Sequence, residues 1–475
     1  MKIKLVNPAQ LDENGEPIKF PVKMAFGITL PYIAALIPPG HDIQIVDDGV
    51  EDIDFDEPVD LVAMTALSCQ APRAYWIAGK FRQRNVPVVM GGFHATMLPE
   101  EALAHCDAVA RGEAEGVMEQ IVTDAAHGKL RQVYESEIRR DLKGLPVPRY
   151  DLVNFDNYMA PYYPVQATRG CPHNCDFCTV TLFYKKTYRK RPVDEVIDEL
   201  RQAGKHLLIV DDNLTADRNY AMELFQKMIP LKKRWCGQFD IAATTDAELL
   251  KAASASGCLW VYIGVETPDP EKARSVNKTP NLKITADMAM KQLRRYHIEP
   301  FVSMMIGFDD DTPETGRQII AFCNRSKIGA FFLYILTPPP GSALYDRLEE
   351  KGVPMKAGWH LYDGTHSVYD TDYMTSEALE EMYREIYKGV YSHGSIFRRT
   401  MIPPHFLLAF TNWYLFRPAF LNSNHPWLGT FQAHHKMLVR VVVPIGSLMT
   451  HPIVRKISRF VRLEWLLEKY GGKNE

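Results

Sequence analysis

Cys171-Pro-His-Asn-Cys175-Asp-Phe-Cys178 puts three cysteines into one loop, at spacings of four and three residues. A loop this short lets three thiolates converge without long-range folding. Three soft sulfur ligands suit an iron–sulfur cluster or zinc. A four-iron cubane held by three cysteines keeps one iron free of protein ligands, and a small chelating molecule can bind there. The other reading is a structural zinc site, with His173 or a distant cysteine as fourth ligand. Gln166-Ala-Thr-Arg-Gly170 precedes the loop and Thr179-Val-Thr follows it.

Downstream of the loop, apolar periodicity predicts helices over 193–204, 216–228, 247–256, 284–296 and 315–327. Strands are expected over 206–210, 235–242, 260–265, 299–306 and 330–336. With a strand near 163–168 this makes six β/α units, a partial (β/α)6 TIM-like barrel over 162–340. Function in such barrels sits at the C-terminal strand ends. Those ends carry Asp211-Asp-Asn213, Gly264-Val-Glu266-Thr267, Ser303 with Gly307, and Thr337-Pro-Pro-Pro-Gly341. The bland reading of Asp212 or Asn213 is a helix N-cap. Strand-end carboxylates also suit a two-carboxylate hydrolase, but that leaves the cysteine loop unexplained.

Upstream, residues 1–140 alternate continuous apolar strands (2–6, 42–46, 61–65, 87–90, 108–110) with helices over 31–37 and 72–84. A further helix is expected to open at Arg111-Gly-Glu-Ala-Glu-Gly116. This pattern describes an α/β, Rossmann-like, doubly wound parallel sheet. Its ligands belong at the carboxyl ends of the strands. Met90-Gly-Gly-Phe-His-Ala-Thr96 lies at one such end, where Gly91 and Gly92 allow close backbone approach. Proline-rich 141–161 reads as a linker.

The three-cysteine loop, with Phe177 before its last cysteine and Arg169-Gly170 before its first, resembles that of the radical SAM family. The resemblance implies a 4Fe–4S cluster on Cys171, Cys175 and Cys178, with S-adenosylmethionine (SAM) chelated to the open iron. It places Phe177, Asp211, Asp212, Glu266, Lys278, Ser303 and Gly307 around SAM. The stretches 61–70, 88–96, 99–102 and 111–115 resemble the cobalamin-binding domain found ahead of many radical SAM domains. The resemblance covers roughly residues 1–140, but the Asp-x-His-x-x-Gly signature that supplies an axial histidine is absent. Cobalamin is therefore expected without a histidine on its lower face, with Ser68, Cys69, Gln70, Gly91, Gly92, His94 and Glu113 as contacts. A buried Cys69 and a satisfied turn His94 are the bland alternatives. The implied reaction is methylation of an unactivated carbon of a lipid or other hydrophobic substrate. A 5′-deoxyadenosyl radical would abstract hydrogen, and methylcobalamin would supply the methyl group. Ring closure, oxidation or carbon–carbon coupling with the same cofactors is the alternative, for example on a tetrapyrrole or isoprenoid lipid. A zinc-stabilised binding protein without turnover is the remote one.

Residues 341–395 resemble the extension of methylases acting on hopanoid lipids, with Trp359, His366 and a helix over 376–391 capped by Ser376. The segment 396–475 is rich in aromatics and basic residues. Over 453–465, Arg455, Lys456, Arg459 and Arg462 face away from Ile453, Ile457, Phe460, Val461 and Trp465. A helix of this kind suits either an anionic membrane surface or packing with its cations in water. Net charge of −3 and a pI near 6.6 argue against nucleic-acid binding. The N-terminus lacks a signal-peptide pattern and no long apolar run is present, so a cytoplasmic protein, with the tail on the inner membrane face, is expected. The five other cysteines read as reduced. A flavodoxin- or ferredoxin-like electron donor is implied by the resemblance.

Overall fold

The computed structural model describes residues 1–400 except 21, 22, 24, 137–140, 159–161, 276 and 277. The aromatic and basic tail reading over 406–417, 439–445 and 453–465 lies outside the described residues.

The first layer system alternates β1 (Lys2–Asn7), α1 (Thr29–Leu36), β2 (Asp42–Asp47), β3 (Leu61–Thr65), α2 (Ala71–Arg82) and β4 (Val88–Gly91). It continues with α3 (Gly92–Met97), α4 (Pro99–His105), β5 (Ala108–Arg111), α5 (Met118–Ala126) and β6 (Val133–Glu135). All strands are parallel, in the order β2-β1-β3-β4-β5-β6. The order reverses at β1, so the sheet is doubly wound, and each face is covered by its own apolar cluster. The Gly-Gly turn is the start of a helix: Gly92 takes φ +90°, and any Cβ there would stand 2.6 Å from Thr65 Oγ1. This close approach packs α3 against the β3 loop. The helix expected at 111–116 starts later, at Met118, because Gly112 and Gly116 both adopt positive φ and keep the segment in a loop.

The second system begins with β7 (Tyr163–Val165), β8 (Thr168–Gly170), α6 (Thr179–Phe183) and β9 (Tyr188–Lys190). Then follow α7 (Val193–Gln202), β10 (His206–Ile209), α8 (Arg218–Met228), β11 (Arg234–Phe239), α9 (Ala247–Ala255) and β12 (Cys258–Glu266). Next come α10 (Pro270–Ser275), α11 (Ala286–Arg295), β13 (Glu299–Ile306), α12 (Pro313–Arg325) and β14 (Ala330–Ile335). Six parallel strands run in the order β14-β13-β12-β11-β10-β7, with β7 and β14 as the free edges of an open barrel. Helix α7 shows why the sequence folds this way. Val193, Val196, Ile197 and Leu200 recur at helical spacing and are all buried against the sheet.

The single strand expected near 163–168 divides in two. Buried Asp211 accepts from Ala167 N at 2.7 Å and from Thr168 Oγ1 at 2.8 Å, drawing this segment off the β7 ladder. Strand β8 then pairs antiparallel with β9. Gly170, at φ +83°, has no room for a side chain against the Thr187 carbonyl.

The extension adds α13 (Ala343–Glu350), α14 (Ser376–Val390) and α15 (His393–Thr400). Thr375 rather than Ser376 caps α14, accepting from Ala378 N at 3.3 Å. Ser376 instead donates through its N–H and hydroxyl to Asp370. Helix α14 packs on the barrel, and Tyr387 and Tyr391 are fully buried beneath it.

Candidate functional site

The cysteine loop closes over the C-terminal ends of the barrel strands. Cys178 N donates to Cys175 O at 3.1 Å, a turn that folds the loop back on itself. All three cysteines line one cavity of about 160 Å³ with Phe177, Asp212, Asn213, Asp240, Glu266 and Lys278. Burial pushes the Cys175 thiol up to about 12 and raises that of Cys171, while the Lys278 ammonium opposes both shifts. Thiolates here therefore need positive charge, which a metal cluster provides. Among the described residues no three His, Cys, Asp or Glu side chains close at the spacing of one ion. His173, the zinc reading's fourth ligand, turns its Nε2 to Asp240 at 2.5 Å. Three sulfurs on one loop, with the Lys278 ammonium beside them, fit a cluster bound through three thiolates.

Opposite the sulfurs, β12 ends in a strained residue. Glu266 has φ +57°, left-handed for a side chain that is not glycine, at a break in the β12–β13 register. Such strain is held only by its surroundings. Lys278 Nζ donates to Glu266 Oε1 at 2.9 Å and Ser303 Oγ to Oε2 at 3.2 Å. A side chain at Gly264 would collide with this carboxylate and stand 3.0 Å from Lys278 Nζ. The result is a cradle holding a carboxylate and an ammonium side by side. It suits a zwitterionic ligand.

Of the expected SAM contacts, Phe177, Asp212, Glu266 and Lys278 line this cavity, while Asp211, Ser303 and Gly307 do not, and Ser303 reaches it only through Glu266. Asp211 is buried under β8, and burial raises its carboxyl to about 7. Its oxygens are used on Ala167 and Thr168, so it bolts the loop rather than facing the cavity. Gly307 donates its N–H to buried Asp311 Oδ2 at 2.7 Å, shaping the turn after β13. Asn213, quoted at its strand end but not among the SAM contacts, lines the cavity, and so do Asp240 and Asn281, which nothing in the sequence singled out. Asp240 directly follows β11, the strand whose end drew no attention although the strand-end rule points to it. Asn213 Nδ2 reaches Cys171 Sγ at 3.7 Å.

A second cavity, of about 350 Å³, lies between the two sheets. Thr65, Gly91 and Ala110, at or next to the C-terminal ends of β3, β4 and β5, form one side. Thr179, Val180, Phe183 and Tyr184, from α6 and its end, form the other. Val180 lines both cavities, so α6 is the partition between them. Glu113 lines this cavity and anchors a buried ion cluster across the domain boundary. Arg169 Nη1 meets Glu113 and Glu115, each at 2.6 Å, and Arg189 Nη1 meets Glu113 Oε2 at 2.7 Å. The Arg169 guanidinium stacks on Tyr32, whose hydroxyl donates to Glu115. The two arginines hold the Glu113 carboxyl below its usual range against the pull of burial.

Of the expected corrin contacts, Gly91, Gly92 and Glu113 line this cavity. Ser68, Cys69, Gln70 and His94 do not. Ser68 and Cys69 are buried, and burial pushes the Cys69 thiol up to about 12. Gln70 turns back to accept from Leu67 N at 2.9 Å and to donate to Pro8 O at 2.6 Å. His94 is fully buried, with Nε2 2.6 Å from Tyr75 Oη and Nδ1 3.2 Å from Ser68 Oγ. Tyr75 and Trp359 both donate to Glu101 Oε1, at 3.0 and 2.8 Å. His94 is therefore part of the brace joining the extension to the first sheet. The residue that this loop presents to the cavity is Leu67, 53% exposed. The sequence reading missed it because an apolar residue beside a polar trio drew no notice.

A family model described as the radical SAM superfamily matches residues 165–323. These residues are a radical SAM domain. A 4Fe–4S cluster and SAM are the cofactors of such a domain, and the chain is an enzyme. The chain is 28% identical over 403 residues to bacteriochlorophyllide d C-12(1)-methyltransferase of Chlorobaculum tepidum, covering 82% of this chain and 88% of that one. It is 26% identical to hopanoid C-2 methylase of Rhodopseudomonas palustris, covering 67% and 63%. The fold is similar to that of the radical SAM methyltransferase TsrM from Kitasatospora setae, solved with cobalamin and a [4Fe-4S] cluster. That match has a TM-score of 0.62 at 14% identity, over 82% of this chain and 88% of that one. The α/β sheet followed by a radical SAM barrel is thus a shared architecture.

Proposed function

We propose that this enzyme is a cobalamin-dependent C-methyltransferase acting on a hydrophobic, ring-rich substrate. The observation that carries the reading is the shared wall: the cysteine cavity and the intersheet cavity abut at Val180. A cluster with SAM would supply a carbon-centred radical oxidant, and cobalamin would supply a transferable methyl group. The chain's own residues support that division. Cys171, Cys175 and Cys178 would hold the cluster. Lys278 and Glu266 would orient the carboxylate and amino ends of SAM, with Asp212 and Asn213 beside them. The strand ends at Thr65, Gly91 and Ala110 offer close backbone approach, and Leu67 offers an apolar face without a ligating atom. At about 350 Å³ and with largely apolar walls, the cavity would hold one part of a molecule as large as cobalamin. The walls of Leu5, Ile33, Ala63, Val89 and Phe183 are apolar and would favour a hydrophobic occupant.

Two bacteriochlorophyllide d methyltransferases cover 82% and 90% of the chain, against 67% and 74% for the hopanoid C-2 and C-3 methylases. This favours a tetrapyrrole over a hopanoid, with ring closure on a tetrapyrrole as the second reading because a magnesium-protoporphyrin monomethyl ester cyclase is also a relative. Product mass separates these. Anaerobic incubation of the reconstituted enzyme with SAM, reductant and a bacteriochlorophyllide-type acceptor should yield a gain of one CH2. Loss of hydrogen without added carbon would favour the cyclase reading, and SAM cleavage with neither product would reject a tetrapyrrole substrate.

A further inference from the structure

The cysteine loop has a back as well as a front. Behind it lies a third cavity of about 360 Å³, lined by Cys175, Cys178, Asn174, Asp176, Lys185 and Lys186 among others. This cavity belongs to neither of the two cofactor cavities, yet it leads to two of the three sulfurs. Its mouth is basic. Lys185 and Lys186 are both exposed. The one carboxylate in the lining, Asp176, is 3.6 Å from the guanidinium of Arg347. Positive charge therefore predominates at this mouth in a protein whose net charge is −3.

The two lysines also stand where lysine is a poor choice for the backbone. Lys185 has φ +49° and Lys186 φ +59°. The turn is closed by Lys185 N to Leu182 O at 3.2 Å and Lys186 N to Thr181 O at 3.0 Å. Consecutive left-handed residues at a helix end favour glycine or asparagine. Lys232, His297 and Lys327 take the same left-handed φ at helix ends elsewhere in the chain, so what sets this pair apart is its place: two exposed cations, one after the other, in the lining that reaches Cys175 and Cys178.

We infer that Lys185 and Lys186 form the docking surface for an acidic one-electron carrier protein, which reduces the cluster through the Cys175–Cys178 side of the loop. The inference rests on the cluster reading given above. In the step, the reduced carrier loses one electron and the oxidised cluster gains it, with no bond made or broken. A small charged patch is the right equipment. Redox encounters bury little area, and complementary charge raises their association rate more than their affinity. Such rates fall steeply with salt.

The test uses the full chain with its cluster reconstituted, mixed anaerobically with chemically reduced flavodoxin. Cluster reduction is followed by absorbance and electron paramagnetic resonance, and dithionite serves as a small reductant that needs no docking surface. The double variant Lys185→Gly/Lys186→Gly should slow reduction by flavodoxin about tenfold or more. It should abolish the salt dependence, leave dithionite reduction unchanged, and hold or raise Tm because the turn is relieved. Lys185→Arg/Lys186→Arg should keep the wild-type rate. An unchanged flavodoxin rate in the glycine variant overturns the proposal. So does an equal slowing with dithionite, which would mean damage to the cluster, or loss of binding to anionic vesicles with flavodoxin reduction intact. A wild-type chain that takes up no cluster would instead bring down the underlying reading.

Discussion

The two cavities that meet at Val180 are built on opposite lines. Between the sheets the walls are apolar, and the charges nearby are spent on one another: Glu113 on Arg169 and Arg189, Glu115 on Arg169 and Tyr32. In the cysteine cavity, Glu266 is strained, Lys278 is largely buried, and both point at a common space with the sulfurs. The first cavity favours an apolar occupant. The second selects by charge, because polar groups held in place in a dry site act more strongly than in water. An apolar surface suits the one and a zwitterion the other.

The largest expected effect lies in the first region. Glu113→Gln leaves the buried Arg189 guanidinium facing a neutral amide, while Arg169 keeps Glu115. Breaking a buried pair in this way costs about 3–5 kcal/mol, so thermal unfolding should shift down by several degrees. A Tm equal to wild type would mean that the ion cluster does not hold the domains together, and the contrast between the cavities would lose one side.

A smaller effect should come from Asp211→Asn beneath the cysteine loop. Asparagine can still accept from Ala167 N and can donate to Thr168 Oγ1. In the native protein the Asp211 carboxyl is raised from 3.8 to about 7 by burial. The folded chain thus keeps a proton that the unfolded chain gives up. Its stabilising contribution is full below about pH 4 and is lost as pH rises through about 7. The variant should flatten the pH dependence of stability between those limits, by on the order of 1–3 kcal/mol. If Asp211 faced SAM instead, the variant would weaken SAM binding and leave that slope intact.

Much of this was legible in the sequence. Parallel sheets announce themselves as apolar runs between amphipathic helices, and β13 falls on the expected 299–306 without change. The cysteine loop is legible because its chemistry is local. What stayed hidden depends on the meeting of distant segments. Nothing in the order of residues reveals that Asp211 bends back onto Thr168 rather than forward, or that Arg169 crosses to Glu113, 56 residues away. Neighbouring polar residues also mislead: Ser68, Cys69 and Gln70 look like a ligand set, but the loop turns them inward and leaves Leu67 facing the cavity. The β8–β9 ribbon escaped notice because strands of three residues carry no usable period.

The most direct measurement is anaerobic reconstitution of the full chain with iron, sulfide and hydroxocobalamin, comparing wild type with Cys175→Ala. Wild type should bind about four irons, give the resonance of a reduced cubane after dithionite, and retain corrin absorbance after gel filtration. Cys175→Ala should lose the cluster resonance and SAM cleavage but keep the corrin. A wild-type protein that binds zinc at the three cysteines and shows no reduced-cluster resonance would contradict the account.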